Sequence, residues 1–217
     1  MFTGLIQCIG KVKAFTQRGA EASLTIDSDF QTFTYGESIA INGACLSVTE
    51  FSGSTFSVFA SRETLQISGI GNLLAGTAVN LEKALTLSTP LGGHLVAGHV
   101  DAWVRVLGRI RENAASRFQF ALPDSEELKY QIAPKGSVTI DGVSLTVNAV
   151  TDTMFEVMII PVTLQHTTLG NLNTGDMVNI ETDILAKYIT RRFDNPQYKA
   201  ENNGVSMALL MQNGFMR

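Results

Sequence analysis

Hydrophobic and polar positions alternate along most of this chain. The segments SLTIDS, ESIAINGACLSVTEF, STFSVFA, TAVNLEKAL, FQFALP, GSVTIDGVSLTVNAV, MFEVMII and DMVNIETDI are short, rich in Val, Ile, Thr and Phe, and separated by Gly-containing turns. A period of two in β-branched and aromatic residues predicts strands. Roughly six such strands per half, joined by tight turns, predict small closed antiparallel barrels, because closure removes the sheet edges. RETLQIS and PVTLQHT read as single helical turns, each followed by a Gly-rich turn, GIGN and LGN. Past the last strand the period changes. DILAKYITRRF puts Ile184, Leu185, Tyr188 and Ile189 on one helical stripe behind Asp183 as a cap. Asn195-Pro196 then breaks the helix, and VSMALLMQNGF resumes a short one with Met207, Leu210 and Met211 on one side.

The strand pattern is written twice. Glu63 to Glu82, ETLQISGIGNLLAGTAVNLE, lies over Val162 to Glu181, VTLQHTTLGNLNTGDMVNIE, at an offset of 99 residues. The identical pairs include Gln66/Gln165, Gly71/Gly170, Asn80/Asn179 and Glu82/Glu181. The same offset lays INGACLSV over IDGVSLTV and pairs Phe56 with Phe155. That period is too long for a solenoid repeat of ~20–50 residues and has the size of a small domain. The chain therefore reads as a tandem duplication with two similar binding surfaces. The tail lies outside the duplication. Its apolar stripe packs on its own barrel or on symmetry mates, and the second arrangement is preferred.

Length and composition narrow the function classes. The 217 residues suffice for two domains and a tail, and a hydrophobic fraction of 45% is ordinary for a globular protein. A net charge of −4 without a basic run argues against nucleic acid. No apolar stretch approaches the ~20 residues of a membrane span. MFTGLIQCIG lacks a charged-then-apolar signal pattern, so a cytoplasmic protein is expected. Cys8, Cys45, His94, His99 and His166 show no metal-ligand spacing beyond the weak His94/His99 pair, and no metal is expected. The apolar residues begin at Phe2, which points to a chain end tied down in structure.

The candidate chemistry sits on one strand face. Alternation puts Gly43, Cys45, Ser47 and Thr49 opposite the core residues Ala44, Leu46 and Val48. In the second copy Gly142, Ser144 and Thr146 stand opposite Val143, Leu145 and Val147. Small hydrogen-bonding groups beside a glycine would let a flat ligand come close. An ordinary solvated face is the bland alternative for the serines and threonine, and packing is the bland alternative for Cys45. His94 and His99, five apart in HLVAGH, would fall on opposite faces of a strand. Each is otherwise a structural histidine, and Lys135 of the APKG turn is otherwise a solvated lysine.

MFTGLIQ, NGACLSVTE, the RETL turn, GGHLVAGHVD, KGSVTIDGVSLTV, IPVTLQHTTLG, VNIETDILAKY and QNGF resemble riboflavin synthase of the α-chain type along essentially the whole chain. The resemblance implies an all-β chain of two tandem six-stranded antiparallel barrels of Greek-key type plus a C-terminal helix. Its units would be an N-terminal lumazine-binding barrel at 1–97, a C-terminal one at 98–186 and an oligomerisation tail at 187–217. It implies a cytoplasmic homotrimer that dismutates two molecules of 6,7-dimethyl-8-ribityllumazine to riboflavin and 5-amino-6-(D-ribitylamino)uracil, with no cofactor. The working site would lie between the N-terminal barrel of one subunit and the C-terminal barrel of the next. Association with a lumazine synthase shell is left open.

Carried over stretch by stretch, the implied substrate-binding residues begin with Gly4, Leu5 and Ile6 in the opening strand and Cys45, Leu46 and Ser47 in the first pocket strand. They continue with Phe59, Ala60, Ser61, Arg62, Glu63 and Thr64 in the first turn, then Gly98, His99 and Val100, and Lys135. Ser144, Leu145 and Thr146 follow in the second pocket strand, and Ile160, Pro161, Val162, Thr163, Leu164 and Gln165 in the second turn. The catalytic set expected near the reacting rings is Cys45, His99, Ser47, Ser144 and Thr146, with Phe2 and Thr3 closing the site. The chemistry needs a base for an acidic ring methyl and a nucleophile to activate the second ring. A non-catalytic lumazine or flavin binder would lack polar residues on its pocket strands, and both strands keep them here. A flavin-dependent reductase would need a G-x-G-x-x-G opening a helix, which is missing.

Overall fold

The computed structural model describes residues 1–193 together with 211 and 212. The helix expected from Val205, the Asn195-Pro196 break and the closing QNGF lie outside the described residues, apart from Met211 and Gln212, which are helical. Twelve strands make up the two halves. The first six are β1 (Cys8–Arg18), β2 (Glu21–Asp27), β3 (Ser38–Ile41), β4 (Ala44–Ser52), β5 (Thr55–Ala60) and β6 (Ala78–Lys83). The others are β7 (Ala102–Glu112), β8 (Ala115–Ala121), β9 (Ser137–Ile140), β10 (Val143–Val150), β11 (Met154–Ile159) and β12 (Met177–Thr182). Each set closes into an antiparallel barrel with the order β1-β2-β5-β4-β3-β6 and its counterpart β7-β8-β11-β10-β9-β12.

Alternation dictates the cores. β2 buries Ala22, Leu24 and Ile26, and its counterpart β8 buries Ser116, Phe118 and Phe120. Each barrel closes on its own apolar cluster. Register shifts recur at equivalent places, Val12/Ala14 with Val106/Gly108 and Val48/Glu50 with Val147/Ala149. Such bulges sharpen the twist that a small barrel requires. The hairpins β3-β4 and β9-β10 turn on Asn42-Gly43 and Asp141-Gly142, all four at positive φ, as a two-residue type I′ turn demands.

Short helices follow β5 and β11 as the sequence predicts: α1 (Arg62–Ile67) and α3 (Pro161–His166), each leading into a 3₁₀ turn. α2 (Glu126–Gln131), capped by Ser125, is an element the alternation did not announce. It lies between β8 and β9 and corrects the duplication register. The offset is 94 residues for β1/β7 and β2/β8, and 99 only from β3/β9 onward. α4 begins at Ile184 and runs to Phe193, with Leu185, Tyr188 and Ile189 exposed. Among the described residues no helix is long and apolar enough to cross a membrane.

The barrels meet about a pseudo-twofold. Asn80 Nδ2 donates to Asp141 O at 3.0 Å, and Asn179 Nδ2 donates to Asn42 O at 2.8 Å. The amide oxygens of the same two residues accept the N–H groups of Thr168 and Gly69 at 2.8 and 2.7 Å. Both asparagines are buried, so each cross-barrel bond removes an otherwise costly unpaired group. Gly43 and Gly142 touch back to back. A Cβ on Gly142 would lie 2.8 Å from the backbone nitrogen of Gly43.

Candidate functional site

The opening segments of the two barrels are exchanged. Phe2 and Val96 form a two-bond antiparallel bridge, at 2.7 and 3.1 Å, on the pseudo-axis. Beyond it the Gly98 carbonyl accepts the Cys45 N–H of the first barrel at 2.8 Å, while the Gly4 carbonyl accepts the Ser144 N–H of the second barrel at 2.8 Å. Val100 accordingly belongs to the first barrel's core, and Ile6 packs on the second's. Two buried glutamates hold these segments. Glu82 accepts from Thr3 N–H and Oγ1 at 2.7 Å and from Gly4 N–H at 3.0 Å. Glu181 accepts from Ala97 and Gly98 N–H at 2.7 and 2.9 Å. Burial raises the pKa of both, that of Glu181 to about 7.

The first site is a cavity of about 540 Å³ beside the start of β4. It unites the expected residues Cys45, Glu63, Thr64, Gly98, His99 and Val100. Ala44, Ile67, Ser68 and Asp101 also line it and were not expected. Its volume is that of a small-molecule site. Cys45 alternates with buried Ala44 and Leu46 and so faces outward from the core. Gly98 must be glycine, since a Cβ there would fall 2.6 Å from the Cys45 Cβ. α1 is fixed by Ser61, whose hydroxyl caps Thr64 N–H at 3.3 Å. Both cysteines are free thiols, and burial pushes that of Cys8 up.

The second site is built on Ser144. His94 Nδ1 lies 2.7 Å from Ser144 Oγ. Burial lowers the His94 pKa, with Asp183 opposing, which favours the neutral ring at pH 7. A neutral imidazole bonded to a hydroxyl is an acid–base pair. Sequence reasoning left His94 open between a structural and a pocket role, because its partner is 50 positions away. The expectation that His94 and His99 share a strand fails. Only Val96 between them makes a bridge, and the two rings serve different barrels.

The other expected residues are placed as follows. Ser47 and Thr146 are exposed on the same faces as Cys45 and Ser144. Leu46 and Ala60 are buried in the first core, and Leu145 and Leu164 pack on the second. Phe59, Arg62 and Leu5 are exposed. Lys135 sits in a turn at φ 68, its N–H donating to Val147 O at 2.8 Å. Ile160 precedes α3, which carries Pro161, Val162, Thr163 and Gln165. Pro161, Leu164 and Gln165 also border a separate pocket of about 410 Å³ with Arg109 and Arg111. Phe2 packs against Cys45, and Thr3 precedes Gly4, whose carbonyl accepts the Ser144 N–H. Both are buried, Phe2 as a wedge with Ala40 and Val96 and Thr3 as a donor to Glu82.

Comparison with known proteins gives the family and the fold. Residues 3–84 and 97–183 each match the lumazine binding domain, so the second unit begins at the exchanged segment. The riboflavin synthase of Photobacterium phosphoreum is 41% identical over 221 residues, covering 100% of both chains. That of Brucella abortus is 43% identical over 198 residues, 88% of this chain and 97% of the relative. That of Bacillus subtilis is 34% identical over 217 residues, 99% of this chain and 100% of the relative. In fold the chain is similar to LumP complexed with 6,7-dimethyl-8-(1'-D-ribityl) lumazine, at TM-score 0.75 and 22% identity, covering 84% of this chain and 99% of LumP. LumP complexed with riboflavin aligns at TM-score 0.76 and 23% identity over the same shares.

Proposed function

Because the chain belongs to the riboflavin synthase family of lumazine-binding proteins, we propose that it turns two molecules of 6,7-dimethyl-8-ribityllumazine into riboflavin and 5-amino-6-(D-ribitylamino)uracil, one barrel holding each ring. One substrate gives up a four-carbon unit and the other receives it, so the reaction is balanced without an external oxidant or reductant. The observation that carries the reading is the pair of polar strands, each clamped by the other half's opening segment. Cys45 and His99 border one ring site, and Ser144 with His94 forms the other. In the second, the Ser144 hydroxyl is the group to add to the acceptor ring, and neutral His94 takes its proton. Holding two flat rings in register supplies much of the acceleration.

The arrangement we favour is a cytoplasmic homotrimer in which the first barrel of one subunit faces the second barrel of the next. Its lumazine-binding units are 1–97 and 98–186, with 187–217 as the oligomerisation tail. The exposed stripe of Leu185, Tyr188 and Ile189 on α4 supports it, since an uncovered apolar helix face calls for a partner. The test is incubation of the purified chain with the lumazine alone in buffer containing EDTA. One riboflavin should form for every two lumazines consumed. Lumazine binding without riboflavin would make the chain a binder only, and activity that EDTA abolishes and zinc restores would overturn the cofactor-free reading.

A further inference from the structure

The duplication is unequal where β6 and β12 leave their barrels. Gln7 and Asp101 are equivalent, each three residues past the clamping glycine. Gln7 Oε1 accepts the Lys83 N–H at 3.0 Å, and Asp101 Oδ2 accepts the equivalent Thr182 N–H at 2.8 Å. In the second copy a carboxylate does the work of an amide, and its other oxygen is bound. Lys187 Nζ, from α4, lies 2.7 Å from Asp101 Oδ1, the two side chains being only 23% and 16% exposed. Asp101 lines the first cavity two residues after His99. Glu181, beside Thr182, holds the backbone on the other side of His99 through Ala97 and Gly98. The charge pair thus stands only on the side that carries Cys45 and His99, where a neutral residue would suffice to pin the backbone.

We propose that Lys187 is a positioning residue for the first ring site: it clamps Asp101 and so fixes the Ala97–His99 segment against Cys45. The proposal rests on the assignment of the 540 Å³ cavity as a ring site. Electrostatics supports the geometry. The charged groups facing Glu181 are Lys187 from α4, which lowers its pKa, and Asp101 from the opening segment, which raises it. Protonated Glu181 accepts less strongly from Ala97 and Gly98, and the segment loosens.

The two charges therefore move the acid limb of the kcat/KM profile in opposite directions. Lys187→Met should shift that limb to higher pH and lower kcat/KM at pH 7 by roughly tenfold to a hundredfold, the scale of a misplaced catalytic segment. Asp101→Asn should shift the limb to lower pH. Lys187→Arg should keep the parent's limb and most of its kcat/KM. A role confined to anchoring the helix would scale all profiles down without moving either limb, and that result would overturn the proposal. If Lys187→Met does not fold, Lys187→Arg and Asp101→Asn carry the same comparison. Unchanged turnover in His99→Ala would overturn the site assignment itself, and the Lys187 proposal with it.

Discussion

Cys45 and Ser144 are one position of a duplicated strand carrying two chemistries. Each N–H donates to the carbonyl of a clamping glycine, at 2.8 Å in both. Only Ser144 has an imidazole on its side-chain oxygen, whereas Cys45 shares its cavity with His99. The two barrels should bind similar rings without being catalytically equivalent. Cys45→Ser makes the strands more alike, and we expect turnover to fall by more than about tenfold, ~1.4 kcal/mol of transition-state stabilisation, with little change in lumazine affinity. Single-turnover rates and a binding titration separate these effects, and parent-like turnover would reduce Cys45 to a packing residue. Alternation alone put both side chains on the right face. It could not find His94, whose relation to Ser144 exists only once the linker between the barrels has folded over the second site.

At the level of elements, the β3-β4 and β9-β10 hairpins do two jobs. They set the strand register and they carry the contact between barrels. Gly142 combines φ +80 with a backbone neighbour that a Cβ would strike, whereas Gly53 has φ +60 and open space around it. Gly53→Ala should cost about 1 kcal/mol, the backbone strain alone, and Gly142→Ala at least ~2 kcal/mol, strain plus displacement of the opposite hairpin. Urea midpoints decide this, and equal losses would mean that the barrels shift apart without cost. The N-G and D-G turns were readable from the sequence because a two-residue hairpin requires positive φ. α2 was not. It is as short as α1 and α3, but those two mark each other across the duplication, whereas α2 has no counterpart between β2 and β3, and only Ser125 followed by Glu126 and Glu127 gives a capping signal.

For the whole molecule, the buried interface makes stability depend on pH. Asp141 and Glu181 ordinarily titrate near 3.8 and 4.5, and burial raises both to about 7. The folded protein therefore binds protons that the unfolded chain has lost across that window. The corresponding stability is fully present below the unfolded values, falls as pH rises through about 7, and is flat above. Asp141→Asn should remove much of this slope. Asn42 already shows that an amide fits the equivalent position, accepting Asn80 N–H at 2.7 Å as Asp141 accepts Asn179 N–H at 2.8 Å. We expect the variant to exceed the parent's stability by about 1 kcal/mol or more at pH 8, the worth of roughly one pKa unit. Denaturant unfolding from pH 5 to 8.5 tests this, and a variant with the parent's slope would acquit Asp141.

The sequence by itself determined ten of the twelve strands, all but β1 and β7, with their inward faces, the duplication and the two polar strands. These follow from local periodicity, from turn chemistry and from comparing one half with the other, all of which are properties of residues near one another or in matched register. Only the tertiary structure decided which opening segment serves which barrel. Gly4 and Gly98 look like parts of their own halves, yet each clamps the other's pocket strand, since the Phe2–Val96 bridge crosses the pseudo-axis. It also decided that His94 meets Ser144, and that Lys187 of the tail reaches Asp101 at the first site. Contacts between groups 50 and 86 residues apart leave no period in the chain, because they depend on how finished barrels dock rather than on how any one strand forms.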